Sequence, residues 1–381
     1  MSNPHVLVLR GRETDQAILK YCRALSKNNY QVLLLIWNRR GNVMDPGTGK
    51  ETFSLKQFFF RAPLDKFSAV FFYPFWWIAI TWYLLKEKPD FVHCCDFDTL
   101  VPVLLLRKFC SFRLVYTIFD FYASNIQEGR FSCVRGSLRK LVKTIDFHGI
   151  NRSDLLILAD ESRAEEIRGT TVKNLIFIYN TPEDQNIREL PRPPDPDRGV
   201  TIFFAGLLMN FRGIRDMIKA VSLVPEARLI LAGPLIDTDS LDGISADNDR
   251  ISYIGWIPSY REVLEKTISS DILFRFSDPK HPKTRYESPN KLFEAMMCGK
   301  PIIVSDESAM ATIVRQNTCG LVIPYGDVDA IRTAVVTLIK DPGLRAELGN
   351  NGRKAYEQKY SWTIMENRLI AGYEKIPPCK R

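Results

Sequence analysis

Short, β-branched apolar runs alternate with stretches of helical periodicity along this chain, in two series separated by a proline-rich segment, and few folds accommodate that pattern. Strands buried on both faces read as continuous apolar runs, and strands alternating with helices build a parallel sheet. The first series places strands at 5–9, 31–36, 91–93, 114–118, 155–158 and 176–179; the second places them at 201–204, 228–232, 252–254, 272–274 and 302–304. Between them lies Arg188-Glu189-Leu190-Pro191-Arg192-Pro193-Pro194-Asp195-Pro196-Asp197-Arg198, whose prolines remove backbone donors and fix φ, so it is neither helix nor central strand. The expectation is an α/β protein of two doubly wound, Rossmann-like domains, residues 1–187 and 199–360, joined by a linker at 188–198. Ligands of such sheets bind beyond the carboxyl ends of the strands, so two domains facing each other would enclose a central cleft. A chain of 381 residues with 45% apolar side chains can bury two cores.

Eight cysteines, at 22, 94, 95, 110, 133, 298, 319 and 379, form no C-x-x-C pair and no cluster of zinc spacing, so they read as reduced thiols of a cytosolic protein. Met1 leads into the first apolar run without a positively charged leader, and no signal peptide is expected. The formal charge of +8 is spread along the chain and interrupted by acids. No recognisable nucleic-acid motif accompanies it, so nucleic acid is not the expected partner.

The most informative segment runs from Ser288 to Val304. Ser288 suits an N-cap and Pro289 the first helical position, while Gly299 can take the left-handed conformation that closes a short helix before Pro301 begins a buried strand. The first-turn N–H groups of such a helix lack internal partners and carry the positive end of the macrodipole, so they can hold a phosphate or a sugar hydroxyl. Lys291 and Glu294, three residues apart, share one face behind that site. A cation for a diphosphate and a carboxylate for a sugar hydroxyl point to a nucleotide sugar; the plainer reading is a capped surface helix with a solvated ion pair. The run S-P-N-K-L-F-E-A-M-M-C-G-K-P-I-I-V resembles the donor-binding motif of glycosyltransferase family 4, retaining enzymes of the GT-B fold. The resemblance implies donor contacts at Ser288, Pro289, Asn290, Lys291, Leu292 and Glu294. Of the family's two spaced glutamates, Glu294 fills the second slot and Tyr286 stands in the first.

Further segments carry the same resemblance. Phe203-Phe204-Ala205-Gly206-Leu207-Leu208-Met209-Asn210-Phe211-Arg212-Gly213 ends a strand at a glycine, where backbone can approach a ligand, and sets Arg212 ahead of a helix, where a guanidinium can grip phosphate oxygens. It resembles the family's G-R-x-x-x-x-K-G loop, with Leu207 at the first cation and Arg212 at the second. Leu231-Ala232-Gly233-Pro234 and Tyr253-Ile254-Gly255-Trp256-Ile257-Pro258 resemble the strand ends that bracket the base, which assigns Gly233 and Ile257 to the donor. Gly11 lies where the family has its first glycine-containing loop. Residues 89–100 resemble P-D-x-V-H-x-H-D-x-D-T-L with Cys95 in place of the second histidine, and residues 115–122 resemble V-Y-D-x-H-E-x-Y with Phe119 and Asp120 in place of His and Glu. Asp96, Asp98 and Asp120 thereby become partners for an acceptor hydroxyl, although each also suits a helix cap or turn, and His93 suits a structural role. Residues 360–373 resemble the family's last helix, so 361–381 would complete the first domain.

The chemistry implied by the resemblance is departure of a nucleoside diphosphate, an oxocarbenium-like sugar, and attack on the same face by an acceptor hydroxyl. No carboxylate nucleophile is required, and no metal or other cofactor is expected. Arg212, Lys291 and the helix starts would stabilise the leaving diphosphate, with Glu294 positioning the donor. Two other classes stay open. One is an inactive GT-B binding or scaffold subunit, prompted by the polar groups missing at Leu207, Cys95 and Phe119; the other is a dinucleotide-dependent oxidoreductase, disfavoured by the lack of G-x-G-x-x-G after the first strand.

Residues 67–85 carry no charge over nineteen positions, long enough by length alone to span a bilayer. A span there would separate the first strands from residues 91–93, which must join the same sheet, and Pro74 interrupts the run. What remains is a helix buried on the sheet, or one whose second, aromatic face rests at a membrane interface with Trp76, Trp77 and Trp82 as anchors. Arg130, Arg135, Arg139, Lys140 and Lys143 form a basic helical stretch, either a solvated face or an attraction to anionic lipid of about 1 kcal/mol per charge near the surface. Together these features favour a glycolipid or surface-glycan precursor as acceptor, at the inner, cytoplasmic face of a membrane.

Overall fold

Each of these apolar runs forms a parallel strand in the computed structural model, which describes residues 3–13, 15–41, 52–63, 68–126, 132–184, 199–244, 249–281 and 290–379. The linker at 188–198, Arg130, Ser288 and Pro289 lie outside the described residues. The chain divides into two units, Met1–Tyr179 with Met365–Arg381, and Asn180–Ile364.

The first unit holds strands β1 (His5–Arg10), β2 (Gln31–Asn38), β3 (Ser54–Phe59), β4 (Phe91–Cys95), β5 (Arg113–Ile118), β6 (Leu155–Leu158) and β7 (Leu175–Phe177), in the order β3-β2-β1-β4-β5-β6-β7. Helices α1 (Gln16–Lys27), α2 (Tyr73–Glu87), α3 (Phe97–Leu106) and α4 (Ser132–Arg152) connect them, with α2 packed on α3 and α3 on α4. Leu7, Leu35, Val92 and Leu114 from the sheet close on Trp76, Ile80, Leu100 and Val103 from the helices. The second unit holds β8 (Val200–Ala205), β9 (Ala227–Ala232), β10 (Ile251–Tyr253), β11 (Ile272–Arg275), β12 (Ile302–Ser305) and β13 (Gly320–Ile323), in the order β10-β9-β8-β11-β12-β13. Its helices are α5 (Ile214–Ser222), α6 (Tyr260–Ser269), α7 (Asn290–Cys298), α8 (Ala309–Asn317), α9 (Val328–Lys340) and α10 (Pro342–Ala355); α11 (Trp362–Glu374) follows. Both sheets are doubly wound.

Two strands, β3 and β13, are absent from the sequence expectation, and both are sheet edges. An edge strand is half-solvated: β3 reads S-L-K-Q-F-F with every position at least partly exposed, so it offers no continuous apolar run.

The aromatic segment departs from its expected role in two ways. Pro74 opens α2 rather than interrupting it, because a first-turn proline lacks only an N–H that has no helical partner there. Trp76 is wholly buried and stacks on Trp37 with centroids 5.9 Å apart, while Trp77 donates its Nε1–H to the Asp98 carbonyl at 3.0 Å. Of the three expected anchors only Trp82 faces out, at 53% exposure. Among the described residues no helix is long and apolar enough to cross a membrane.

His93 is structural. Its Nε2 meets Thr117 Oγ1 at 2.6 Å and its Nδ1 meets the Tyr373 hydroxyl at 2.8 Å, with no exposure. Burial pushes its pKa down to about 3, whereas the buried Asp146 carboxyl beside Tyr116 Oη is pushed up to about 7 by its own burial. The unfolded chain protonates His93 near 6.5, so stability present above that pH is lost between 6.5 and 3. Asp146 acts oppositely: the folded state keeps a proton that the unfolded chain releases near 3.8, so stability is full below that pH and lost as pH rises through 7. Between about pH 4 and 6 the two slopes, each about 1.4 kcal/mol per pH unit, oppose one another. Asp146→Asn is therefore expected to make stability rise with pH across this window, relative to the parent, by about 1.4 kcal/mol per unit. Denaturant unfolding at three pH values checks this, and parallel profiles for variant and parent would refute it.

Candidate active site

Strand order in the second sheet reverses between β8 and β11, the switch point where doubly wound sheets take their ligands. The loops leaving these two strands are tied together. The Asp278 N–H donates to the Phe211 carbonyl at 2.9 Å, and the Phe211 ring stacks on His281 at 4.1 Å and 3°. Arg212 follows in the turn Asn210–Arg212, half-buried, its guanidinium 5.1 Å from the Phe211 centroid. Gly213, at φ 60, swings the chain into α5, and a Cβ there would lie 2.9 Å from the Phe276 ring. A tight turn and an aromatic platform thus hold Arg212 at the lip of the sheet.

The other side of the switch point carries α7, described from an exposed Asn290 and closed by Gly299 at φ 63. Lys291 Nζ pairs with Glu294 Oε2, and the Tyr260 hydroxyl donates to Glu294 Oε1 at 3.3 Å. The pair is not a solvated surface bridge: the Glu294 side chain is 5% exposed and that of Lys291 24%. Burial, then Glu294 itself, pushes the Tyr260 pKa far up, so its hydroxyl stays a donor. Leu292 is wholly buried and seats α7 in the core.

Gly206 and Gly233 shape the adjoining lip. The Gly206 N–H donates to the Ala232 carbonyl at 2.9 Å, and Gly233 sits at φ 121, where a Cβ would come within 2.0 Å of the Gly206 oxygen. The Gly233 N–H donates to Gly255 at 2.7 Å, which draws the segment after β10 into the same lip. Ile257 is buried, but Leu207, Ile236, Ile254 and Trp256 are exposed at 42 to 65% where β8, β9 and β10 end, an apolar rim beside the cations.

The first sheet reverses between β1 and β4, and there the expected acceptor groups divide. Asp96, 4% exposed and at φ 67, takes Arg10 on Oδ2 at 2.6 Å and the Phe119 and Asp120 N–H groups on Oδ1 at 2.8 and 3.2 Å. It ties β1, β4 and β5 together, and its carboxylate is occupied within the fold. Asp98 is buried against Gly11, where a Cβ would lie 1.5 Å from its Oδ2, with Arg39 at 3.7 Å; burial, then Asp96, pushes its pKa up. Asp120 keeps a third of its side chain exposed (34%), 3.8 Å from Arg163. Cys95 is wholly buried.

Tyr260, the Phe211–His281 stack and Arg39 escaped the sequence reading. Ser259 with Glu262 three residues on is a helix-start signal that would have put Tyr260 in the first turn of α6, where Ser259 caps Glu262 N–H. The stack joins loops far apart in sequence and leaves no local signature.

Residues 199–341 match the family described as glycosyl transferases group 1. Over 318 residues the chain is 23% identical to an uncharacterized glycosyltransferase of Methanocaldococcus jannaschii, covering 76% of each. It is 27% identical over 207 residues, 53% of each chain, to the GDP-mannose-dependent monoacylated alpha-(1-6)-phosphatidylinositol monomannoside mannosyltransferase of Corynebacterium glutamicum. Among solved structures, sucrose-phosphate synthase from Thermosynechococcus elongatus superposes with a TM-score of 0.75 at 17% identity, covering 98% of this chain and 99% of that one.

Proposed function

We propose, from the premise that this chain is a glycosyltransferase of the GT-B fold whose residues 199–341 are a glycosyl transferases group 1 domain, that it moves a sugar with retention from a nucleotide sugar to a glycolipid or surface-glycan precursor at the cytoplasmic membrane face. The observation that carries this reading is the placement of Arg212, in the turn after β8, and of the Lys291–Glu294 pair, on the helix α7 that follows β11, on the two sides of one switch point. Arg212 and Lys291 neutralise the diphosphate, helped by the first-turn N–H groups of α7 from Asn290 on, and the family resemblance extends the donor assignment to Ser288 and Pro289. The base rests on the apolar rim of Leu207, Ile254 and Trp256, beside Gly206, Gly233 and Ile257. When Lys291 turns to the diphosphate, Glu294 Oε2 becomes available to a ribose hydroxyl while Tyr260 keeps hold of Oε1. On the acceptor side the part-exposed Asp120 is the hydroxyl partner. The name of the corynebacterial relative, GDP-mannose-dependent and acting on a monoacylated phosphatidylinositol monomannoside, supports a nucleotide-sugar donor and a glycolipid acceptor. We assign charge neutralisation to side chains without a metal, so a chelator should leave donor binding unchanged.

Glu294→Gln is the test of the donor assignment. The nucleoside diphosphate and the full donor should both bind about tenfold more weakly by calorimetry, since a charge-assisted bond to ribose is lost in each. A loss confined to the full donor would move Glu294 to the sugar ring, and equal binding to variant and parent would sink both roles. The buried Cys95 favours a second reading, an inactive scaffold; donor hydrolysis or transfer by the parent excludes it.

A further inference from the structure

The outer layer of the first unit exposes apolar side chains in a regular stripe. Phe71, Phe75, Ile78, Trp82 and Leu85 follow one another at alternating steps of four and three and are 49 to 75% exposed. That spacing sets all five on one face of α2 and the turn before it, opposite the buried Trp76, Ile80 and Leu84. Leu105, at the end of the neighbouring α3, and Phe109, in the turn after it, add 63 and 84% exposure, and Leu141 on α4 adds 56%. Five large apolar side chains exposed on one helix face, rather than scattered singly, mark a contact.

We infer that this face of α2, with the end of α3, docks on an anionic lipid bilayer, with Phe71, Phe75, Ile78, Trp82 and Leu85 entering the interface. The inference rests on the membrane-face reading above and deepens it by naming the surface. Charge decides the occupant. Lys86, Lys88, Lys108, Arg139, Lys140 and Lys143 are exposed on the same layer, whereas no carboxylate is exposed among the described residues of 68–112 and 132–152. A second copy would bring like charge against this rim; anionic headgroups complement it. Lys86 Nζ lies 4.8 Å from the Trp82 ring centroid, so aromatic and cation reach the same depth, as interfacial anchoring requires.

The test uses the intact chain, vesicles of phosphatidylcholine alone, and vesicles of equal parts phosphatidylcholine and phosphatidylglycerol. The parent should partition onto the anionic vesicles and partly, not wholly, come off in high salt. Ile78→Ser with Trp82→Ser should lower that partition about tenfold while thermal unfolding and nucleoside diphosphate binding stay at parent values. Parent protein that ignores both vesicle types overturns the inference, as does a double variant that binds like the parent. A parent dimer that the double variant converts to monomer also overturns it, because the stripe is then a self-interface. Donor binding separates this failure from that of the donor assignment: a parent that binds donor but not vesicles keeps the nucleotide-sugar transferase reading and loses the docking surface together with the membrane-face acceptor.

Discussion

Asp96→Ala is expected to cost the first unit about 3 to 5 kcal/mol, since removing one partner of a buried ion pair leaves charge behind without compensation. Arg10 is 1% exposed, and burial opposes its charge while Asp96 and Asp15 sustain it. Asp15 is only partly buried, at 39% side-chain exposure, so the variant leaves the guanidinium with the more solvated of its two partners. The Phe119 and Asp120 N–H groups lose their acceptor as well, and alanine is strained at φ 67, where aspartate is better tolerated. Asp96→Asn retains an acceptor for the backbone and should lose less. Denaturant unfolding followed by tryptophan fluorescence, with Trp37 and Trp76 reporting on this unit, reads the difference. Parent-like stability in Asp96→Ala would show that the carboxylate is not committed to the fold and would restore it as an acceptor-hydroxyl partner.

Arg212→Ala is expected to lower donor affinity or transition-state stabilisation by about 1.5 to 3 kcal/mol, roughly 10- to 150-fold, for loss of a charge-assisted contact to the diphosphate. The side chain stands on the Phe211–His281 stack rather than in the core, so folding should survive. Arg212→Lys keeps the charge but loses the planar fork and its stacking, and should fall between parent and alanine. Donor titration of a normally folded alanine variant that matches the parent would remove Arg212 from the site.

The sequence was most informative where one physical demand acted alone. Central strands must be apolar on both faces, so their runs were readable; β3 and β13, half in water, were not. In α7 the paired Lys291 and Glu294 were visible from their spacing, but the burial of that pair and its third member, Tyr260, depend on α6 packing beside α7. Helix α2 is apolar all round, so no period distinguishes the inward Trp76 from the outward Trp82; only the packing on Trp37 does. Asp96 reads as a plausible site residue because it sits at the lip of a sheet. Its commitment to Arg10 and to the end of β5 bridges 86 and 23 residues of sequence, beyond any local pattern.

The most direct test of the donor assignment is calorimetric titration of GDP, UDP and ADP, and of their nucleotide sugars, into the intact protein. The switch-point site predicts saturable binding of one nucleoside diphosphate and its sugar, weakened by both Arg212→Ala and Glu294→Gln. A folded parent protein that binds none of these ligands would contradict it.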